Sequence, residues 1–257
     1  MNTTTAELNS QTLVILGATG AVGSTLSRRL KGAGHEVFLA GRNPQVLRDL
    51  SDELAAPSLS LDVLEPGSIE RTIQSARETY DHIDGAVNCI GSVFLKPAHL
   101  TSDEEWSEVL AVNLTSAFET VRSAAKVMGK QGGSVVLISS AAARVGLANH
   151  EAIAAAKAGV IGLTLSAAAS YAGRGIRVNA VAPGLVKSNM TRHLWESEAA
   201  ESMSSSMHAL NRLGKPEQVA SMIEWLLQPA NDWVTGQVFG VDGGLATVIP
   251  RARQKSH

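Results

Sequence analysis

Seven residues, Gly17-Ala18-Thr19-Gly20-Ala21-Val22-Gly23, follow directly on the apolar run Thr12 to Leu16 and precede Leu26 and Leu30, which recur at helical spacing. Glycines at a strand-to-helix junction permit a tight turn and let backbone N–H groups approach a pyrophosphate, whose charge the helix N-terminus stabilises. The segment predicts a dinucleotide cradle. About 20 residues on, where ribose recognition is expected, the chain reads Ala40-Gly41-Arg42-Asn43. An acid there would accept the ribose 2′-hydroxyl of NAD, whereas a guanidinium pairs a 2′-phosphate in a fork. Arg42 therefore favours NADP, with NAD possible; the plainer alternative is a solvated surface arginine. Asp62, Val63 and Asn88 end the third and fourth apolar runs, where open α/β sheets place ligands.

The elements that must position these groups follow from periodicity. Short β-branched runs alternate with segments of helical period: strands over Thr12 to Leu16, Val37 to Ala40, Leu59 to Val63, Ile83 to Ile90, Val135 to Ile138, Ile176 to Val181 and Gln237 to Val241. Between them lie a helix ended by Gly32 and Gly34, one opening at Pro44, and one with Ile69, Ile73, Ala76 and Tyr80 on its apolar face. A long stretch from about Asp103 to Met128 carries a break near Val112; Ala152 to Ala172 and Lys215 to Leu227 are also helical, and Pro183 to Leu210 reads as a loop with a mobile helical lid. Strands without period-2 alternation, separated by helices, predict an α/β fold with a doubly wound parallel sheet of Rossmann type and helices on both faces. A chain of 257 residues is expected to form one domain, with a core over about 11–245 and flexible tails over 1–10 and 248–257.

Composition narrows the function classes. A formal net charge of −2 gives no electrostatic footprint for nucleic acid or an anionic membrane. The basic end, Arg251, Arg253 and Lys255, is short and reads as a frayed tail. A single cysteine, Cys89, rules out an internal disulfide, suits a reducing compartment and reads as inert core. The polar N-terminal residues carry no secretory pattern, and the apolar runs look far shorter than the roughly 20 residues a bilayer requires. Cytoplasmic is the default. His35, His82 and His99 lack metal-ligand spacing, so no metal site is expected, and His193 and His208 read as surface residues of the lid.

From roughly Leu13 to Gly244 the chain resembles the short-chain dehydrogenases/reductases. Leu16 to Gly23 is similar to the family's TGxxxGxG motif, with Ala21 in place of the middle glycine. Asn88-Cys89-Ile90-Gly91 resembles its NNAG motif, Leu137-Ile138-Ser139-Ser140 its serine-bearing strand, and Pro183-Gly184 with Val186 and Ser188 its PGxxxT pattern. The ending Val241-Asp242-Gly243-Gly244 is also similar. The resemblance implies that Ser140 orients a substrate carbonyl, Asn113 positions a water and Lys157 holds the nicotinamide ribose. It further implies a homo-oligomer, usually a tetramer packed through the long helices around Asn113 and Lys157, where small residues over Ala152 to Ala172 would permit close approach. Ser139 reads as structural.

The likeness breaks at one position. Lys157 fits the lysine of the family's YxxxK motif, with Ser140 lying 17 residues before it, but Ile153 stands where the tyrosine would be. An isoleucine cannot donate a proton, so the usual acid is missing there. His150 precedes Lys157 by seven residues, close to two helical turns, and shares its face if the helix reaches back that far. The alternative is a loop histidine that lines a pocket without chemistry. Glu151 reads as a first-turn carboxylate. Two functions follow from these residues. One is an NADP-dependent oxidoreductase acting on a small carbonyl or activated alkene with a non-standard proton donor; the other is a dinucleotide-binding sensor or assembly subunit without turnover.

Overall fold

A computed structural model describes residues 10–250. The basic end and most of the N-terminal segment read above lie outside the described residues. Seven strands, β1 (Thr12–Leu16), β2 (Glu36–Gly41), β3 (Ser58–Ser60), β4 (Gly85–Asn88), β5 (Gly133–Ile138), β6 (Ile176–Pro183) and β7 (Val238–Val241), form a parallel sheet of order β3-β2-β1-β4-β5-β6-β7. The chain starts at the centre, winds out to β3 and returns to lay β4 beside β1. That reversal opens a crevice at the carboxyl ends of β1 and β4, where such sheets take ligands.

Side chains alternate across the sheet. Val14 and Leu16 of β1 pack with α3 (Ser68–Tyr80), α5 (Ser116–Met128) and α6 (Glu151–Tyr171) on one face. Leu13 and Ile15 pack on the other with α1 (Ala21–Gly32), α2 (Pro44–Leu54) and α8 (Pro216–Leu227). Both faces are thus covered, which is why the strands read as continuous apolar runs.

Several expected boundaries shift for local reasons. The third strand ends at Ser60, because the Asp62 carboxylate accepts the Leu64 N–H at 3.0 Å and turns the chain. Asp62 and Val63 therefore follow the strand instead of ending it. The break near Val112 is a wide turn over Ala111–Thr115, with five-residue hydrogen-bond spacing, joining α4 (Asp103–Leu110) to α5. In the lid, a short turn at Arg192–Leu194 precedes α7 (Glu198–Ser206).

The expectation that no apolar run is long enough to cross a membrane is corrected. The helical stretch Glu151–Arg174 is long and apolar enough by composition alone. Its Ala156, Lys157, Val160, Thr164, Ala167 and Ala168 are buried, several of them in the core beneath β5 and β6. Its apolar character serves that packing.

Candidate active site

The cradle is built by close backbone approach. Gly17 has φ +80°, and a side chain there would bring its Cβ within 2.9 Å of the Cys89 carbonyl carbon and the Ile90 nitrogen. The loop thus sits directly on the end of β4. At Gly23 a Cβ would fall 2.2 Å from the Gly17 carbonyl oxygen, so helix and loop meet only with glycine there. Gly20 caps α1 without a side-chain hydrogen bond, and the first turn carries no acid, which suits the helix to an anion. Ala21 and Val22 open the helix.

At the end of β2 a Cβ on Gly41 would lie 2.7 Å from Thr19 Cγ2 and 2.8 Å from Thr19 Oγ1. The threonine fills the space an acid would need. Arg42 is exposed beside it, with no hydrogen bond or ion pair among the described residues.

A second cluster gathers expected site residues from four elements. Lys157 is only 5% exposed and its Nζ donates to the Ile138 carbonyl at 2.9 Å, leaving two of its three donors. Burial pulls its pKa down to about 8. Asn113, in the wide turn, accepts the Ser92 N–H at 3.1 Å and donates to Ser92 Oγ at 2.9 Å and the Val109 carbonyl at 3.0 Å. Both head groups converge on Gly91, whose Cβ would stand 3.3 Å from Asn113 Oδ1 and 3.5 Å from Lys157 Nζ. Ser140 Oγ accepts the Ala142 N–H at 3.1 Å and keeps its own proton to give. Ser139 donates to the Lys157 carbonyl at 2.8 Å, a structural bond, as expected.

Ile153 is 6% exposed and packs with Phe94, Val109, Leu110, Leu114 and Ala156. No phenol replaces the missing one. The hydroxyl of Tyr80 donates to the Val37 carbonyl, with its pKa pushed up to about 12, chiefly by burial. Tyr171 closes α6 fourteen residues past Lys157, about 21 Å away along the axis at 1.5 Å per residue. His150 is the capping residue of α6 with non-helical backbone, so the helix does not reach back to carry it. Its Nδ1 lies 2.7 Å from the Ala148 carbonyl, which fixes a proton on Nδ1 and leaves Nε2 unengaged.

Two other sequence readings change. Asn88 is buried and its side chain is used up in the scaffold: it donates to Ser116 Oγ and Thr120 Oγ1 and accepts the Ile90 N–H. His208 is buried, not a surface residue, because it bonds to backbone on two sides. Cys89 stays inert, its thiol pushed up to about 12 by burial, with Lys157 opposing.

After β6, the Gly184 N–H donates to the Val241 carbonyl at 3.1 Å, and a Cβ at Gly184 would strike Asp242 Cα at 3.0 Å. Thr191, which sequence reasoning missed, ties this loop together: its Oγ1 donates to the Val186 carbonyl at 2.6 Å and meets Ser188 Oγ at 3.1 Å. Ser92 was missed as well, since its partnership with Asn113 spans 21 residues and leaves no local pattern. Among the described residues no cluster of histidine, cysteine or carboxylate could hold a metal.

A family model described as "Enoyl-(Acyl carrier protein) reductase" matches residues 17–246, from the cradle to the loop after β7. The chain belongs to the short-chain dehydrogenase/reductase family of oxidoreductases. It is 34% identical over 244 residues to 3-oxoacyl-(acyl-carrier-protein) reductase FabG of Thermotoga maritima, covering 93% of this chain and 98% of that protein. The FabG of Salmonella typhimurium is 31% identical over 238 residues, covering 91% and 97%. Among solved structures, a short-chain type dehydrogenase/reductase from Mycobacterium ulcerans superposes with a TM-score of 0.88 at 29% identity, covering 92% of this chain and 90% of that one. A variant of actinorhodin polyketide ketoreductase solved with NADPH gives 0.87 at 29% identity, covering 94% and 99%. The sheet order and the β1/β4 crevice match what this family requires.

Proposed function

We propose that this short-chain dehydrogenase/reductase is an NADP-dependent enzyme acting on a small carbonyl or activated-alkene substrate, with a proton donor other than tyrosine. The observation that carries the reading is the convergence of Lys157 Nζ and Asn113 on Gly91, kept although position 153 is apolar. A dinucleotide sensor would need the lysine for the ribose, but not a serine hydroxyl whose proton is left free to give, as at Ser140. The substitute donor and the substrate class are the parts the family leaves open.

NADPH, when bound, supplies the hydride. The helix α1 N-terminus and Gly17 to Gly23 would take the pyrophosphate, Arg42 the 2′-phosphate, and Asp62 and Val63 would border the adenine end. Lys157 would hold the nicotinamide ribose, while Pro183 to Ser188 flank the amide. Ser140 gives its free hydroxyl proton as a hydrogen bond to the substrate oxygen. His150 is the proton donor in this reading: the Ala148 carbonyl keeps Nδ1 protonated, so Nε2 can gain and lose the second proton without a tautomer change. Names of relatives that act on acyl-carrier-protein substrates make a 3-oxoacyl or enoyl thioester the first class to try. A cytoplasmic location, one domain over about 11–245 and a homotetramer belong to the same proposal.

The test is NADPH oxidation across ketones, 3-oxoacyl thioesters and enones, on native protein, His150→Ala and Ile153→Tyr. His150→Ala is expected to lose 10²–10⁴-fold in kcat, the range for a general acid, with NADPH binding intact. Ile153→Tyr is expected to raise ketone reduction on that same scale. Full turnover by His150→Ala would remove the histidine from the chemistry, and cofactor binding without NADPH oxidation on any substrate would favour the sensor alternative.

A further inference from the structure

A buried histidine that the reaction does not use joins the lid to the cofactor loop. His208, 4% exposed, follows α7. Its Nε2 accepts the Leu185 N–H at 3.1 Å, and its Nδ1 lies 2.9 Å from the Ser204 carbonyl within α7. A peptide N–H can only donate and a carbonyl can only accept, so the two partners select the neutral ring with its proton on Nδ1. The ring also stands between two glycines. A Cβ on Gly184 would come within 2.7 Å of Nε2, and one on Gly243 within 3.5 Å of His208 Cβ. Backbone bonds run along the same seam, from Leu210 N–H to the Gly243 carbonyl at 3.0 Å and from Asn211 N–H to the His208 carbonyl at 2.7 Å.

We infer that His208 is a positioning residue that clamps the α7 lid to the Pro183–Ser188 loop only while its ring is neutral, so that the lid loosens over the cofactor site as pH falls. A proton on Nε2 would face the Leu185 N–H donor to donor, and an attraction becomes a repulsion. Most of the charged groups on the packed elements are already engaged. Asp242, in the loop after β7, accepts the Gly244 and Ala246 N–H groups. Glu201 of α7 is paired with Lys187 of the β6 loop at 2.5 Å, and that lysine lies 5.2 Å from the Trp195 ring centroid. Glu198 starts α7, and Arg212, beyond the histidine, bonds to the Leu213 carbonyl and Gln218. A proton on the ring thus breaks one of the bonds that join lid and loop, beside the Lys187–Glu201 pair.

The inference depends on the proposed reading only for what the lid covers. Its test is hydrogen exchange of residues 189–207, corrected for intrinsic rates, on full-length native protein at pH 8 and pH 5.5, beside NADPH titration at both. Native lid protection is expected to fall about tenfold at the lower pH, the scale for one buried hydrogen bond lost. In His208→Gln the amide oxygen can accept the Leu185 N–H at either pH, so protection should persist at both. In His208→Asn the acceptor for Leu185 is gone, and protection should be low at both. Equal protection of the native lid at the two pH values overturns the clamp, without any variant having to fold. A fall in His208→Gln as large as in native protein overturns it too. A native pH step with no NADPH binding at any pH supports the clamp and sinks the cofactor reading.

Discussion

At the scale of single residues, the proposed cofactor choice rests on Arg42 and on the Thr19 side chain that crowds Gly41. Arg42→Ala is expected to weaken NADP(H) by roughly 1–3 kcal/mol and to leave NAD(H) nearly unchanged, because only the former offers a 2′-phosphate to the guanidinium. Calorimetric titration of both cofactors checks this. An acid introduced alone, as Gly41→Asp, should not create NAD preference, since its Cβ meets Thr19 at 2.7 Å; the double change with Thr19→Ala should. Lys157 adds a pH dependence of known sign. Burial lowers its pKa to about 8, so the ammonium that would hold the ribose is present below that pH and lost above it. NADP(H) affinity of the native protein is expected to decline as pH rises through about 8, as followed by fluorescence titration, and Lys157→Met should be weak and flat over the same range.

At the scale of elements, the wide turn at Ala111–Thr115 sets the site because it interrupts what would be one helix from α4 to α5. Its Asn113 holds the β4–α4 loop through Ser92 and its own helix through the Val109 carbonyl. Asn113→Ala removes these bonds at once and leaves the Ser92 N–H without its acceptor. The expected destabilisation is about 1–3 kcal/mol, the cost of an unpaired buried group, which for a chain of this size lowers Tm by roughly 2–10 °C. Thermal unfolding followed by circular dichroism measures it, and the same variant should lose more in kcat than in cofactor affinity, because Gly91 would no longer face a fixed amide.

At the scale of the whole molecule, α6 is apolar on all sides although only one side is packed. Its outer face bears Ala155, Ala158, Gly162 and Leu165, with Leu165 54% exposed, and the neighbouring α5 shows Phe118 at 49%. Small residues flanking large apolar ones suit a second copy laid against the helices, in keeping with the expected homotetramer. Leu165→Lys, outside every cofactor contact described above, should shift the sedimentation profile to a smaller species. An unchanged profile would place the subunit contact elsewhere.

Much of this architecture is local in origin. Glycine at 17 and 23, Arg42 after an apolar run, and the alternation of strand and helical periods determine the cradle's turn and the βα units of a parallel sheet, because each depends on neighbours within one βα unit. Ile153 in place of tyrosine is likewise a fact of sequence. What only the tertiary structure decided depends on residues far apart in the chain. Asn88 donates to Thr120 of α5 across 32 residues, and Asn113 fixes Ser92 across 21. Histidine 208 is the clearest case: its ring needs backbone partners 4 and 23 residues away, so nothing local distinguished it from a surface residue. Spacing along a chain fixes which face of one element a residue occupies; burial and hydrogen bonding are set by whatever other segments arrive there.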